Sequence, residues 1–168
     1  MNPKDILAAL AASANSVELA PGIRINCLSA PSEVVNVRAI FRAVEYYVNT
    51  LPPANGDDLP VSDLDDQLKA IQNVVGKIAT QRQRNAALIG LQQAPAFRAI
   101  LSLVAPDGTE YCKKPEDEQS MLRIFELHPA KIQAVEQAVG WDKFDAERKA
   151  KAEAEAAKAE KKEGAEGN

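Results

Sequence analysis

The clearest periodic pattern in this chain is an apolar stripe in its first third. Apolar residues recur there at steps of three and four, the spacing of one helical face, and they are Val34, Val37, Phe41, Val44, Val48 and Leu51. Ser29 or Ser32 can cap such a helix, and Pro52-Pro53 stops it. The pattern predicts a helix that runs to about Thr50, with this stripe turned towards the core.

A second stripe with the same spacing follows, and its members are Leu64, Leu68, Ile71, Val75 and Ile78. Ser62 followed by Asp65 resembles a capping box with a shorter acid, which favours a helix start at Ser62. The stripe stops across the polar residues 80–85, where this face leaves the core or the helix bends, and apolar residues then resume. We predict one long middle helix over residues 62–93, ended by Pro95.

Two short β-hairpins are predicted. Residues 17–25 alternate apolar and polar side chains around Pro21-Gly22, which is typical of two strands joined by a turn. Residues 97–104 fit either a strand or a helix. Because Pro106-Asp107-Gly108-Thr109 is a turn sequence, we favour a strand that returns at Glu110.

The remaining helices are marked by proline. Asn2-Pro3 predicts a short first helix, Pro115 with its following acids predicts another, and His128-Pro129 separates that one from a third. We expect Trp141 to anchor the last helix to the core, whereas a partly exposed tryptophan would be a binding hot spot.

The end of the chain has a different composition. Residues 142–168 carry eight acids and seven bases among alanines, with Phe144 as their one large hydrophobic residue. We predict a solvated helix that becomes disordered near Gly164. The predicted fold class is mainly α (α+β): a helical domain over residues 1–141 with one or two short β-hairpins, and a charged helical tail over residues 142–168.

Composition narrows the function classes. A chain of 168 residues is the size of one domain, and its formal charge of −4 gives no general attraction to nucleic acid. No apolar run approaches the roughly 18 residues of a membrane-spanning helix, and the first residues lack the order of a signal peptide. Cys27 and Cys112 stand far apart, which favours reduced thiols in a cytoplasm.

No catalytic, metal or cofactor constellation is visible. The single His128 precedes a proline at a helix junction, so we expect a structural or solvent-facing side chain. Cys27 and Cys112 could be neighbours if the hairpins pair, but small buried side chains are the favoured interpretation. We therefore expect a protein that is not an enzyme.

Gln81-Arg82-Gln83-Arg84 is the strongest nucleic-acid signal in the chain. Two arginines on a helix can contact phosphates, but neither an aromatic platform nor a wider basic stripe accompanies Arg82 and Arg84. A solvated helix face is favoured over a phosphate contact, and a protein partner is the intermediate option, because arginine is enriched at interfaces.

The order of these elements resembles that of phage tail assembly chaperones. The similarity lies in an N-terminal helix, a hairpin at Pro21-Gly22 and the helix opening Leu28-Ser29-Ala30-Pro31-Ser32-Glu33. It continues in a predicted strand with an Asp-Gly turn at residues 100–110, and in an acidic helix start at Pro115-Glu116-Asp117-Glu118. The resemblance covers about residues 13–51 and 97–162.

That resemblance implies a non-enzymatic assembly factor in the cytoplasm of an infected bacterium. Such chaperones bind the apolar tape measure protein and keep it soluble until tail tube subunits polymerise around it. An amphipathic helix of the client would lie in an apolar groove of the chaperone. The candidate groove residues are Phe41, Tyr46, Tyr47 and Phe97, with Arg82, Arg84 and Trp141 as further partner contacts.

Other partners and classes stay open. The tail tube protein and a second copy of this chain are further candidate partners. A structural or adaptor subunit of the tail, such as a completion or connector protein, could use the hairpins to add strands to its neighbours. A small nucleic-acid-binding regulator would use Arg82 and Arg84.

Overall fold

The computed structural model describes residues 15–52, 59–61, 66–75 and 78–166. Within these ranges lie the strands β1 (Ser16–Ala20), β2 (Ile23–Cys27) and β3 (Leu103–Val104), and the helices α1 (Glu33–Thr50), α2 (Asp66–Val75), α3 (Gln81–Leu101), α4 (Pro115–Leu127), α5 (Pro129–Val139) and α6 (Trp141–Glu166). The chain is thus mainly α with a small antiparallel sheet, as its sequence predicts. The helix predicted at Asn2 and the helix start predicted at Ser62 lie outside the described residues.

The sheet has the order β1-β2-β3, with both neighbouring pairs antiparallel. The first predicted hairpin is confirmed: β1 and β2 pair around Gly22, whose φ of +76° is easily reached only by a residue without a Cβ. The second hairpin is much shorter than predicted. After the two residues of β3, the chain turns through Gly108 and returns as a single bridge between Val104 and Glu110.

The prediction of a strand over residues 97–104 is wrong for most of that segment. Helix α3 passes through Pro95 and ends only at Leu101. Each residue from Ala96 to Leu101 is buried. A segment buried on all sides has no alternation that separates a strand from a helix. Its packing offsets the hydrogen bond that Pro95 cannot donate, a loss of about 3 kcal/mol in an isolated helix.

The single middle helix predicted over residues 62–93 is two helices. Thr80 starts α3 with a capping box: its hydroxyl accepts from the Gln83 N–H (3.3 Å), and the side-chain Oε1 of Gln83 accepts from the Thr80 N–H (3.2 Å). The polar residues after Thr80 are therefore the first turn of a new helix. Glutamine at the third helical position is the sequence signal for this start.

The stripe predicted to face the core on α1 is only partly buried. Val44 is fully buried, but Val34 is 77% exposed and Val37 is 37% exposed. The buried positions of α1 are instead Asn36, Ala39, Ala43 and Val44. The helix is thus rotated so that Ala39 and Ala43 are buried beside Val44, while Val34 and Val37 face outward.

The main neighbour of α1 is α3, and the two helices touch backbone to backbone at Gly90. A Cβ built on Gly90 would lie 2.5 Å from Cα of Val44 and 2.9 Å from the carbonyl oxygen of Ala43. Ala87 of α3 belongs to the same core cluster as Val44, and Ala39 of α1 and Ala86 of α3 are also almost fully buried. Only small residues permit so close an approach of two helices, because packed interiors leave no room for an added side chain.

Helix α6 is anchored by its first residue. Trp141 is fully buried, and its indole N–H donates to the Ser102 hydroxyl (3.0 Å). The Arg98 guanidinium lies over the indole ring, 4.6 Å from its centroid, and is itself ion-paired with Glu136 and Asp145. Beyond Phe144, the described side chains of α6 are exposed. The helix extends to Glu166, and so includes the Gly164 region where the sequence predicts disorder.

We expect the substitution Gly90→Ala to lower the free energy of unfolding by about 3 kcal/mol, the upper part of the usual cost of overpacking. Helix propensity alone would favour alanine over glycine by about 1 kcal/mol, so the sign of the change tests the close contact with α1. Urea unfolding followed by circular dichroism measures it. Gln92→Ala, at an exposed position of the same helix, should leave stability nearly unchanged; a Gly90→Ala protein as stable as this control would contradict the packing.

Candidate functional site

Large hydrophobic side chains that remain exposed are the main candidates for binding a partner. Six are found among the described residues: Ile23, Val34, Val37, Leu59, Tyr111 and Ile124. Single exposed apolar residues are ordinary, whereas contiguous patches mark interaction sites. Five of the six gather on two separate surfaces, and Leu59 belongs to neither.

The first surface, here named the sheet groove, lies between the sheet and α4. Its exposed rim consists of Ile23, Tyr111 and Ile124, and the buried Val104 and Met121 contribute to its lining. The groove encloses about 300 Å³. Its rim residues are 61%, 55% and 39% exposed, respectively. The sheet groove is therefore an apolar concavity open to a partner.

Local structure places each rim residue. Ile23 is the first residue of β2, directly after the Gly22 turn. Tyr111 follows the bridge at Glu110 and is held by its N–H, which donates to the Leu103 carbonyl (3.2 Å). Ile124 lies on α4, whose apolar residues cover more of the helix surface than the face that packs against the core. Its neighbours Met121, Leu122 and Phe125 are buried in the core, while Ile124 is left outside.

The second surface, here named the α1 stripe, is a shallow depression along one side of α1. Val34, Val37 and Phe41 form its apolar centre. Its remaining lining residues are charged, and they are Glu33, Arg38 and Arg42. These three already have partners within the chain, because Glu33 pairs with Arg148 (3.4 Å), Arg42 with Glu118 (3.1 Å) and Arg38 with Glu110.

The Arg38–Glu110 pair ties α1 to the end of the β3 turn. Both carboxylate oxygens accept from the guanidinium, with Oε2 at 3.1 Å from Nη2. These hydrogen bonds hold the pKa of the Glu110 carboxyl below its ordinary value, and the positive charge of Arg38 adds to the effect. The ion pair therefore favours the ionised Glu110 carboxylate, bound to Arg38, at neutral pH.

Four of the residues proposed from the sequence are aromatic residues on or facing α1. Phe41 lies in the α1 stripe, but Tyr46, Tyr47 and Phe97 form a separate cluster with ring centroids 5.1 and 5.7 Å apart. Phe97 is only 2% exposed. Tyr46 lines a cleft of about 390 Å³ whose other residues are mostly polar, among them Glu45, Asn49, Glu116 and Glu118. The structure therefore does not join these four residues into one apolar groove.

The two arginines of the Gln-Arg run are both partly buried. Arg82 donates to the carbonyl oxygens of Leu51 (2.6 Å) and Val48 (3.3 Å), so it caps the carboxyl end of α1. Within the described part of the chain, the buried Nε of Arg84 has no hydrogen-bond partner. The sequence did not predict this role for Arg82, whose Nε and Nη2 groups are engaged with backbone carbonyl oxygens.

Trp141 offers no surface to a partner. It is fully buried and anchors α6, which is the structural one of its two predicted roles. Its ring also contacts Phe144, with centroids 5.2 Å apart. The hot-spot alternative required partial exposure, so Trp141 is removed from the candidate contacts.

The two thiols are buried, whereas His128 is exposed at the junction of α4 and α5. Cys27 and Cys112 are free, buried thiols in the same core cluster, and burial raises the pKa of each to about 11. Such thiols stay protonated at neutral pH. The His128 backbone links α4 to α5, since its N–H donates to the Ile124 carbonyl (3.1 Å) and its own carbonyl accepts from the Lys131 N–H (2.8 Å). Among the described residues, no group of three or more His, Cys, Asp or Glu side chains could hold a metal ion.

Comparisons of this chain with protein-family models, with curated proteins and with solved structures give no significant match.

The sheet groove was not predicted from the sequence. Ile23 is separated by 88 positions from Tyr111 and by 101 from Ile124, and only the sheet register and the docking of α4 bring them together. One local signal was present for Ile124: Met121, Leu122, Ile124 and Phe125 are too many apolar residues for one narrow helical face. Tyr111 beside the Asp-Gly turn had no such signal.

The stability contributed by the Arg38–Glu110 pair should depend on pH. Because the folded pKa of Glu110 is lowered, the unfolded chain takes up this proton at a higher pH than the folded chain does. The contribution is therefore complete above the ordinary glutamate pKa of about 4.3, and is lost as pH falls through the lower folded value. Since both side chains are partly exposed, we expect at most about 1 kcal/mol.

Urea unfolding of the wild type and of Glu110→Gln measures this contribution. The variant should be less stable at neutral pH, and the difference should shrink as the solution is acidified. Glu147→Gln, at an exposed position of α6, serves as the control and should show no such difference. If the difference in free energy of unfolding between wild type and Glu110→Gln increased in acid, the predicted direction of the pH dependence would be wrong.

Proposed function

We propose that this protein is a non-enzymatic assembly chaperone that masks an apolar helical segment of a client protein. In the form that the sequence resemblance suggests, it acts in the cytoplasm of an infected bacterium, and its client is the tape measure protein of a phage tail. The observation that carries the proposal is the sheet groove, with Ile23, Tyr111 and Ile124 exposed around an apolar concavity.

The shape and lining of the sheet groove suit a few apolar side chains of a client helix. Most of its lining residues are apolar, and Arg24 and Asn26 are its polar members. An amphipathic helix binds such a groove by inserting residues one helical turn apart. Each aliphatic side chain removed from water contributes about 2 kcal/mol, so a small groove supports reversible binding.

Reversible masking is what a temporary holder of an apolar client requires. The client gains solubility while it is bound, because its apolar face is removed from water. A groove that inserts only a few side chains also lets the client leave when it meets its final partners. Burial of surface is the whole of the proposed activity, and no bond of the client is made or broken.

The charged tail has a complementary role in this proposal. The described side chains of α6 beyond Phe144 are exposed, and acids and bases alternate along the helix. A solvated, charged helix disfavours association of complexes with one another. Its anchor at Trp141 fixes it to the body, so the tail would keep a loaded chaperone soluble.

Co-expression with the tape measure protein of the same genome tests the proposal. The soluble fraction of the client should rise several-fold with the wild-type chaperone, and the two proteins should co-purify. Ile23→Asp and Tyr111→Asp should abolish most of this gain, because each places a charge on the rim of the sheet groove. Circular dichroism and the melting temperature establish that each variant is folded.

Leu59→Asp is the matched control, because Leu59 is 64% exposed and lies outside both apolar surfaces. It should solubilise the client as well as the wild type does. Absence of any complex with the wild type would overturn the proposed function. If Leu59→Asp and Ile23→Asp reduced the solubility of the client equally, the assignment of client binding to the sheet groove would be overturned. Stoichiometric copies in purified particles would instead favour a structural subunit.

A further inference from the structure

A cavity of about 550 Å³ lies where α1, α2, α3 and α6 meet, and the proposed function does not use it. We name it the four-helix cavity, since each of these helices contributes to its lining. Its volume is within the range of cavities that hold small organic molecules. Among the described residues, it shares no lining residue with the sheet groove, so the two are separate sites.

The end of the cavity beside α6 is polar. Arg98 of α3 lines it together with Asp145 and Arg148 of α6. Arg98 donates to both carboxylate oxygens of Asp145 (3.0 and 2.9 Å), so these two charges neutralise one another. Arg148 is held more loosely, by a contact of 3.4 Å with Glu33 in which both side chains are about half exposed. The Arg148 guanidinium can therefore turn towards an acidic group in the cavity.

Asn36 of α1 adds an unsatisfied hydrogen-bond donor to the lining of this cavity. The side chain lies on the buried side of α1 and is only 4% exposed. Within the described residues, its amide nitrogen Nδ2 has no hydrogen-bond partner. A buried donor without an acceptor destabilises the folded state. A ligand oxygen placed beside Asn36 would therefore gain a hydrogen bond that the protein alone does not make.

The opposite end of the cavity is apolar. Ile40, Ile71 and Leu91 line it, and all three belong to one core cluster. Along the helices, Ile40 is about one turn from Asn36, and Leu91 is about two turns from Arg98. The polar and apolar parts of the lining are thus separated. A ligand that satisfies both parts has an apolar body and an acidic oxygen group at one end.

We propose that the four-helix cavity binds a small monocarboxylate with an apolar body, such as a medium-chain fatty acid. The carboxylate accepts hydrogen bonds from the Asn36 amide and from Arg148, which exchanges its contact with Glu33 for the ligand. The chain of the ligand lies against the apolar end and is removed from water there. We expect a Kd between about 10 µM and about 1 mM, because one charged contact and a short chain give modest affinity. This site does not depend on the client-binding function.

Isothermal titration calorimetry with octanoate tests the site, and 1-octanol is the uncharged comparison. The wild type should bind octanoate about tenfold more tightly than 1-octanol, because only the carboxylate pairs with Arg148. Asn36→Leu removes the amide at nearly constant size, so it should fold and should weaken octanoate binding several-fold. Arg148→Gln should remove the preference for octanoate. Lys149→Gln, at the next and equally exposed position of α6, removes the same charge and should keep that preference.

Two further variants locate the ligand. Ala94→Phe places a ring in the cavity and should abolish binding of both compounds, whereas Ile23→Asp, in the sheet groove, should leave binding unchanged. Circular dichroism establishes that each variant is folded, and Ala70→Phe, from the exposed side of α2, replaces Ala94→Phe if the latter is not. Absence of octanoate binding at millimolar concentration would overturn the site. Equal affinities of the wild type, Asn36→Leu and Arg148→Gln, or loss of binding in Ile23→Asp, would overturn it as well.

Discussion

Close contact between the backbones of α1 and α3 is the constraint on which the rest of this structure depends. Where Gly90 meets Val44, the space is too small for a methyl group, and Ala43 lies directly beside the contact. Two helices that approach so closely can bury only small side chains between them. The larger apolar residues of α1, Val34 and Val37, are consequently left on the outer side. The exposure of Val34 and Val37 thus follows from the close packing of α1 against α3.

The polar interactions around this helix pair fix the ends of the elements. Arg82 satisfies the last carbonyl oxygens of α1, and Arg98 holds α5 and α6 through Glu136 and Asp145. Arg38 ties α1 to the turn that presents Tyr111. Arginines are therefore used here to join elements, each with carbonyl or carboxylate partners.

Local signals in the sequence predict some element boundaries, and long-range packing decides those that they miss. Pro21-Gly22 and His128-Pro129 mark a turn and a helix junction because proline and glycine restrict the backbone wherever they occur. The orientation of α1 could not be derived from its periodicity, since it depends on the size of the residues that α3 presents. The strand predicted over residues 97–104 fails for the same reason, because its burial comes from distant elements. Of the candidate binding residues, Phe41 alone lies in one of the two apolar surfaces, and the sheet groove required the sheet register to be known.

The anchoring of α6 also has a spectroscopic consequence. Trp141 is the single tryptophan of the chain, and it is wholly enclosed at the base of the tail, hydrogen-bonded to Ser102 and covered by a guanidinium. Its fluorescence emission therefore reports only on the contact between the start of α6 and the core. A red shift would signal that the tail has detached from the body, even if every other helix stayed in place. The protein thus carries an intrinsic optical probe at the boundary between its packed body and its solvated end.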